Sequence, residues 1–210
     1  MGGRGASSSI GRGSGAGKPN DATEYYVSGD GMYINNALRD GRELYPEDKQ
    51  LIKDLDLATN GSVKQDDLYR SVDAKAIFGD LNWQDYDNLD NYLRNGEKGF
   101  DKGAYSQAQL QKAKNILNKT QGKEITEKGY MSTTKDESIA NDWGGFSGSE
   151  MPVVMHLKNT KGAKGVDVSI YDKNTTSPQK EVLLGRNQKF KVDNISFKNG
   201  NIYVDATLEK

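Results

Sequence analysis

Residues 181–209, EVLLGRNQKFKVDNISFKNGNIYVDATLE, hold three runs rich in β-branched and aromatic residues: EVLLG (181–185), KFKVDNISF (189–197) and NIYVDATLE (201–209). Such side chains suit a pleated, half-buried surface. Between the last two runs stand Lys198, Asn199 and Gly200, and an Asn-Gly pair supplies the positive φ angles of a tight hairpin turn. Toward the N-terminus, MPVVMHL (151–157) and KGVDVSIY (164–171) read as two more strands. Before Met151 the period changes. In PEDKQLIKDLDLA (46–58) Leu51, Ile52 and Leu55 form one apolar stripe, and in AYSQAQLQKAKNILN (104–118) the stripe is Leu110, Ala113 and Leu117. The region from Glu24 to about Ile125 is therefore mostly short amphipathic helices. Helices first and strands later predict an α+β domain, and no internal repeat interrupts it.

A chain of 210 residues holds one ordinary domain and a tail. Residues 1–22 are Gly, Ser and Arg with a single large aliphatic residue, too little apolar surface to offset the entropy of ordering, so they read as a disordered tail and 23–210 as the domain. The glycines at 11, 13, 15 and 17 before Lys18 imitate a phosphate loop, but Arg12 stands where its first glycine belongs and Pro19 where its Ser or Thr belongs. Myristoylation fails likewise at Ala6. Leu, Ile, Val and Phe fall just under the roughly one-fifth level where disorder sets in. Yet 29 basic against 30 acidic residues leave a net charge of -1, which is not the charge imbalance of a disordered chain. The 11 tyrosines and 2 tryptophans enlarge a small core. A near-neutral chain has no electrostatic footprint for nucleic acid. No stretch is long enough to span a membrane and no signal peptide is visible, so the expected location is cytoplasmic, or reached by phage or specialised delivery.

The chain has no cysteine and one histidine, His156. Disulfides, thiolate metal sites, cysteine nucleophiles, Ser-His-Asp triads and histidine metal clusters are all excluded, and no metal is expected. His156, inside an apolar strand, reads as packing or surface. The acidic stretch Asp85, Asp87, Asp90 lacks the turn glycine of a calcium loop and reads as a solvated helix face. The chemistry left is that of Arg, Ser, Gln and Glu. Three segments can carry it. In Asp67-Leu68-Tyr69-Arg70-Ser71-Val72 an arginine emerges between apolar neighbours, where a surface arginine is the bland alternative. In Gly129-Tyr130-Met131-Ser132-Thr133-Thr134, Thr134 and Glu137 have capping-box spacing, which makes Thr134 a helix N-cap and leaves Ser132 without a structural reason. In Ser177-Pro178-Gln179-Lys180-Glu181, alternation puts Gln179 and Glu181 on one face where loop becomes strand, unless this is an ordinary strand edge.

In this order and layout, the three segments resemble the arginine, serine-threonine and glutamate motifs of toxin-type mono-ADP-ribosyltransferases, above all the clostridial Rho-modifying exoenzymes and the enzymatic components of binary actin-modifying toxins. The resemblance runs from about Tyr33, where YINNALRDG is similar to the family's first helix, to about Val192, and is most specific in QKEVLLGRNQKFKV. It implies two packed mixed sheets around an NAD cleft, flanked by the early helices, with NAD as co-substrate and a target protein, a GTPase or another host protein, as partner. It implies Glu181 as the residue that stabilises the ribosyl cation, Ser132 as its hydrogen-bond support and Gln179 as the residue that orients the acceptor. Arg70 and Ser71 are implied at NAD, with Phe146 of the glycine-rich WGGFSGSE loop stacking on nicotinamide. Glutamine rather than glutamate at 179 implies an amide acceptor. Two departures are visible: Ser147-Gly148-Ser149 replaces the arginine that often follows the aromatic residue, and Thr176 stands where Rho-modifying enzymes carry an aromatic. The Gly-Arg-Ser start is similar to phage and mobile-element relatives. Hydrolysis of NAD without a protein acceptor, or a non-catalytic virion-associated module, are the alternative readings.

Overall fold

The structure, a computed structural model, describes residues 16–146, 151–174 and 176–210. In chain order its helices are α1 (Asp21–Tyr25), α2 (Met32–Asp40), α3 (Pro46–Ala58), α4 (Lys75–Phe78), α5 (Trp83–Asn95), α6 (Gly103–Thr120) and α7 (Glu137–Phe146). The strands are β1 (Asp67–Asp73), β2 (Glu124–Glu127), β3 (Met131–Thr134), β4 (Pro152–Lys158), β5 (Gly165–Asp167), β6 (Glu181–Leu184), β7 (Gln188–Lys198) and β8 (Asn201–Glu209). Both predicted amphipathic helices form, with Ile52 and Leu55 buried in α3 and Leu110 and Ala113 buried in α6. The β7–β8 hairpin turns at Asn199 (φ 51°) and Gly200 (φ 84°), the left-handed pair that Asn-Gly makes accessible.

The strands hydrogen-bond in the order β2-β7-β8-β4-β1-β3-β6-β5. Every pairing is antiparallel except β4 with β8, so the sheet is mixed, as an α+β fold requires. The two sheets expected from the resemblance are joined: β1 touches β3 at one register pair only, Tyr69 with Thr134. On either side of that joint lie a five-strand part and a three-strand part, and both feed one apolar core. Leu68, Val72 and Met155 from the first part meet Met131, Val182 and Leu184 from the second. A second core packs Ile34, Ile52 and Leu55 of the early helices against Tyr130, Val166 and Leu183 on the other face of the three-strand part. At about 25 cal/mol per Å² of apolar surface, such burial is the main favourable term holding each layer. No helix among the described residues is long and apolar enough to cross a membrane.

Four expectations need correction. Residues 16–22 are not part of a tail: Gly17 N–H donates to the Leu57 carbonyl (3.1 Å), Ala22 is buried, and Asn20 caps α1 while donating to the Asp54 carbonyl (2.9 Å). Residues 1–15, with the first part of the imitation phosphate loop, lie outside the described chain. The KGVDVSIY strand stops at Asp167, because the Asp167 carboxylate accepts from Ser169 N–H (3.0 Å) and turns Ser169–Asn174 into a 3₁₀ helix. Thr134 is not the cap of α7. It belongs to β3, where its hydroxyl donates to the Gln179 carbonyl (2.8 Å), and Asp136 caps instead by accepting from Ser138 N–H (3.0 Å). Finally, WGGF is the last turn of α7 rather than loop; residues 147–150 lie outside the described chain.

The docked N-terminal segment makes a prediction. Asn20→Ala removes the bond accepted from Thr23 N–H (3.0 Å) and the one donated to Asp54. Losing a cap and a tertiary hydrogen bond costs about 1–3 kcal/mol, which lowers Tm by roughly 2–10 °C in a domain of this size. Thermal unfolding that stays within a degree of the parent chain would show that residues 16–22 add nothing to the fold.

Candidate active site

Tyr26, just past α1, places its hydroxyl where four elements meet. Asn35, buried on α2, donates to it through Nδ2. The same Asn35 clamps the main chain entering β3, accepting from Tyr130 N–H (2.8 Å) and donating to the Tyr130 carbonyl (3.0 Å). Gly129 is required there, since a Cβ would sit 2.5 Å from Asn35 Oδ1. Tyr130 packs edge-on against Tyr26 (5.8 Å between centroids) and its hydroxyl donates to Asp56 of α3 (2.8 Å). Arg186, in the turn after β6, forks onto the same Asp56 with bonds of 2.9 and 2.7 Å. This chain of satisfied polar groups fixes α2, α3, β3 and β6 relative to one another.

Three predicted residues influence that hydroxyl. The Ser132 side chain reaches it from β3, and both Arg70 and Glu181 act on it electrostatically. Burial dominates and pushes the Tyr26 phenol up to about 12; the Arg70 charge and the Asn35 bond oppose this and Glu181 adds to it. Tyr26 therefore stays protonated at neutral pH and serves as a fixed dipole, not a base. Glu181 opens β6, is buried to 8% exposure and lies opposite Thr134, which makes Ser132 its diagonal cross-strand neighbour.

Arg70 stands on β1 opposite Met155. Its Nε is shut off from solvent and has no hydrogen-bond partner among the described residues. Burial lowers the pKa of its guanidinium, Glu127 opposing and Arg39 reinforcing that shift. The group borders a cavity of about 230 Å³ whose charged wall is Arg39, Arg70, Lys128 and Glu127 and whose apolar wall includes Val72, Met155 and Phe190. Arg39 forks onto Glu127 with two bonds of 2.9 Å. Burial works against the Glu127 carboxylate, but the Arg39 bond and the Arg70 charge hold it below the usual carboxylate range. An arginine with an unmet donor beside two further cations suits a pyrophosphate, which carries charge and acceptor oxygens in the matching fork geometry.

The remaining predicted residues are placed differently. Strand alternation sends Ser71 to the face opposite Arg70, under α7, where its Oγ is buried without a hydrogen-bond partner among the described residues. Gln179 does not share a face with Glu181 by simple alternation, because Lys180 between them has φ 49° and the strand starts only at Glu181. Its amide oxygen instead accepts from the Trp143 indole N–H, and its Nε2 donates to the Ser177 carbonyl (3.0 Å). The Phe146 side chain lies outside what the structure describes. His156 bridges Asp67 and Asp205 at 2.9 Å each and stacks on Tyr69, a structural role on the face away from Arg70. In α5, Asp87 is exposed and the half-buried Asp90 pairs with Arg94 (2.6 Å), but Asp85 is half-buried with Oδ1 shut off from solvent, so the acidic stretch is a solvated face only in part; no His/Asp/Glu cluster among the described residues is arranged to hold a metal.

Sequence reasoning passed over Tyr26, Asn35, Arg39, Glu127 and Trp143. A signal existed for two of them: in YINNALRDG, Asn35 and Arg39 are spaced i, i+4 on one helix face, and a mid-helix asparagine beside an arginine has little use in packing.

The class that this fold and this polar cleft define is the enzymes that move ADP-ribose from NAD. The sequence profile described as ADP-ribosyltransferase exoenzyme matches residues 17–210, and the chain belongs to that family. It is an NAD-dependent ADP-ribosyltransferase. Among solved structures it is similar to the C3larvin toxin, an ADP-ribosyltransferase from Paenibacillus larvae, at 25% identity and a TM-score of 0.57, covering 90% of this chain and 86% of that one. It is similar to C3stau2 from S. aureus with NAD at 19% identity and a TM-score of 0.63, covering 90% and 85%. The enzymatic component C2-I of the C2 toxin from Clostridium botulinum matches at 24% identity and a TM-score of 0.59, covering 90% of this chain but 42% of the toxin component. A search of curated proteins returned no match.

Proposed function

We propose that this chain transfers ADP-ribose from NAD to an amide side chain of a protein. The observation that carries the reading is a buried Glu181 at the start of β6, diagonal to Ser132 on β3, in a fold whose β1 holds Arg70 with an unmet Nε on a cavity. In the reaction, nicotinamide leaves with the electron pair of its bond to ribose and becomes neutral. Positive charge builds on the ribose, an oxocarbenium-like state that a buried carboxylate opposes, and Glu181 is the carboxylate at hand. The acceptor nitrogen then gives its electron pair to the same ribose carbon and loses one proton. Arg70 would hold the pyrophosphate; the unmet Nε is the fit that supports NAD here, as does the S. aureus relative solved with NAD.

The amide acceptor rests on Gln179, whose side chain both donates and accepts, as an amide partner does, whereas a carboxylate would suit a guanidinium. Gln179→Glu is expected to raise labelling of agmatine, a guanidinium acceptor, by about tenfold per nicotinamide released, while transfer to amide acceptors falls. A parent chain that already labels agmatine efficiently overturns the amide reading. Thr176, exposed on the same loop, offers no aromatic grip, so the partner need not be a Rho-type GTPase.

Hydrolysis of NAD is the second reading, and one observation favours it: the Gln179 amide already makes a bond within the chain at each end. Radiolabelled NAD separates the two. Label on protein supports transfer; released nicotinamide with no labelled protein supports hydrolysis.

A further inference from the structure

Trp143 lies in the last turn of α7, half-buried, with its indole N–H directed at Oε1 of Gln179. An indole nitrogen only donates. A glutamine amide has an accepting oxygen and a donating nitrogen of nearly the same shape, so its partners decide which end faces which way. With Trp143 in place the oxygen faces the helix and the nitrogen faces away from it. The main chain on either side is anchored separately. Thr134 Oγ1 donates to the Gln179 carbonyl (2.8 Å), Lys135 N–H to the Lys180 carbonyl (3.2 Å) and Lys180 N–H to Asp172 (2.8 Å), while Lys180 Nζ pairs with Asp136 (2.7 Å). The Gln179 side-chain amide is held at both ends, its oxygen by Trp143 and one hydrogen of Nε2 by the Ser177 carbonyl (3.0 Å), which leaves its second N–H to be presented.

We propose that Trp143 sets the acceptor chemistry: by holding the Gln179 oxygen it makes Gln179 present an N–H, so the acceptor must offer a lone pair at that point. An amide oxygen offers one. A guanidinium has five donors and no acceptor, and meets a donor with donors. Trp143 is thus a positioning residue, acting through Gln179 and not on the reacting atoms. The inference rests on the reading that Gln179 meets the acceptor, and adds which end of it does so and why.

The test reads agmatine labelling per nicotinamide released, for the parent chain, Trp143→Phe and Gln179→Glu. Phenylalanine keeps the ring and removes the N–H, so the Gln179 oxygen loses its donor and only the Ser177 bond opposes a turn of the oxygen outward; the ratio is expected to rise about tenfold over the parent. A loss of packing alone would lower both products together and leave the ratio where it was. If Gln179→Glu raises the ratio and Trp143→Phe does not, the role of Trp143 is overturned while the reading of Gln179 stands. If neither raises it, the reading of Gln179 fails and the inference falls with it. Should Trp143→Phe not fold, the decision passes to the indole N–H resonances of Gln179→Met. The chain has 2 tryptophans and the other, Trp83, is 50% exposed. One of the two resonances must shift and exchange faster while the other stays; if neither moves, the contact and the proposal are overturned.

Discussion

A chain carrying Glu181→Gln is expected to release nicotinamide from NAD at least about a hundredfold more slowly than the parent, with NAD binding little changed. The replacement has the same shape, so the effect isolates one negative charge. That charge sits at 8% exposure at the start of β6, where little water screens it, and a carboxylate facing a developing cation acts more strongly there than in solvent. The main-chain contacts of this residue do not depend on the charge. The Glu181 carbonyl accepts from Val168 N–H (3.0 Å) and its neighbours pair in register with β3, contacts that glutamine keeps. An interaction made in the transition state and absent from the ground state lowers kcat and kcat/KM together, which is the expected pattern. Steady-state nicotinamide release checks it, with Tm as the control for folding. A variant that keeps more than a third of the parent's turnover would remove Glu181 from the centre of the chemistry.

What could be read from sequence was local and periodic. The stripes at Ile52 and Leu55 and at Leu110 and Ala113, four of the five β-branched runs and the Asn199-Gly200 turn formed where their short-range pattern predicted, while KGVDVSIY stayed extended only to Asp167. Local signals misled where a distant partner competed for the same atoms. Thr134 had cap spacing, but its hydroxyl found the Gln179 carbonyl 45 residues away, and Asp136 took the cap. Gly144 and Gly145 read as loop, yet they complete the last turn of a helix packed on β1. The segment from Gly17 looked too polar to order, and it is held by hydrogen bonds to the α3 main chain that composition does not encode. For the site, residue types that carry chemistry were visible one by one, because chemistry restricts which side chains serve. Their supports were not. Tyr26 and Asn35 lie about a hundred residues from the Tyr130 main chain they hold, with hydrogen bonds spanning 104 and 95 positions, and Trp143 meets Gln179 across 36.

Arg70→Lys is expected to weaken the use of NAD by about 10- to 150-fold in kcat/KM, mostly through KM. Arg70 is the one cation of the cavity whose Nε is buried and without a partner among the described residues, whereas Arg39 is committed to Glu127 by two bonds. A charge-assisted bond is worth about 1.5–3 kcal/mol, and a lysine in the same place keeps a point charge but loses the fork that meets two phosphate oxygens at once. Burial already lowers the pKa of the Arg70 guanidinium, which stays charged because its ordinary value is so high. An ammonium starts lower, and the same desolvation moves it further down. The sign follows: the variant should lose NAD affinity as pH rises and its ammonium deprotonates, while the parent, whose arginine keeps its proton, should not. Phosphate contacts made equally in the ground and transition states change KM and leave kcat near its parent value, unlike the loss expected at Glu181. Initial rates across NAD concentration, repeated between neutral and alkaline pH, test both parts. An unchanged KM, or a loss confined to kcat, would mean that the charged wall of the cavity does not hold the pyrophosphate.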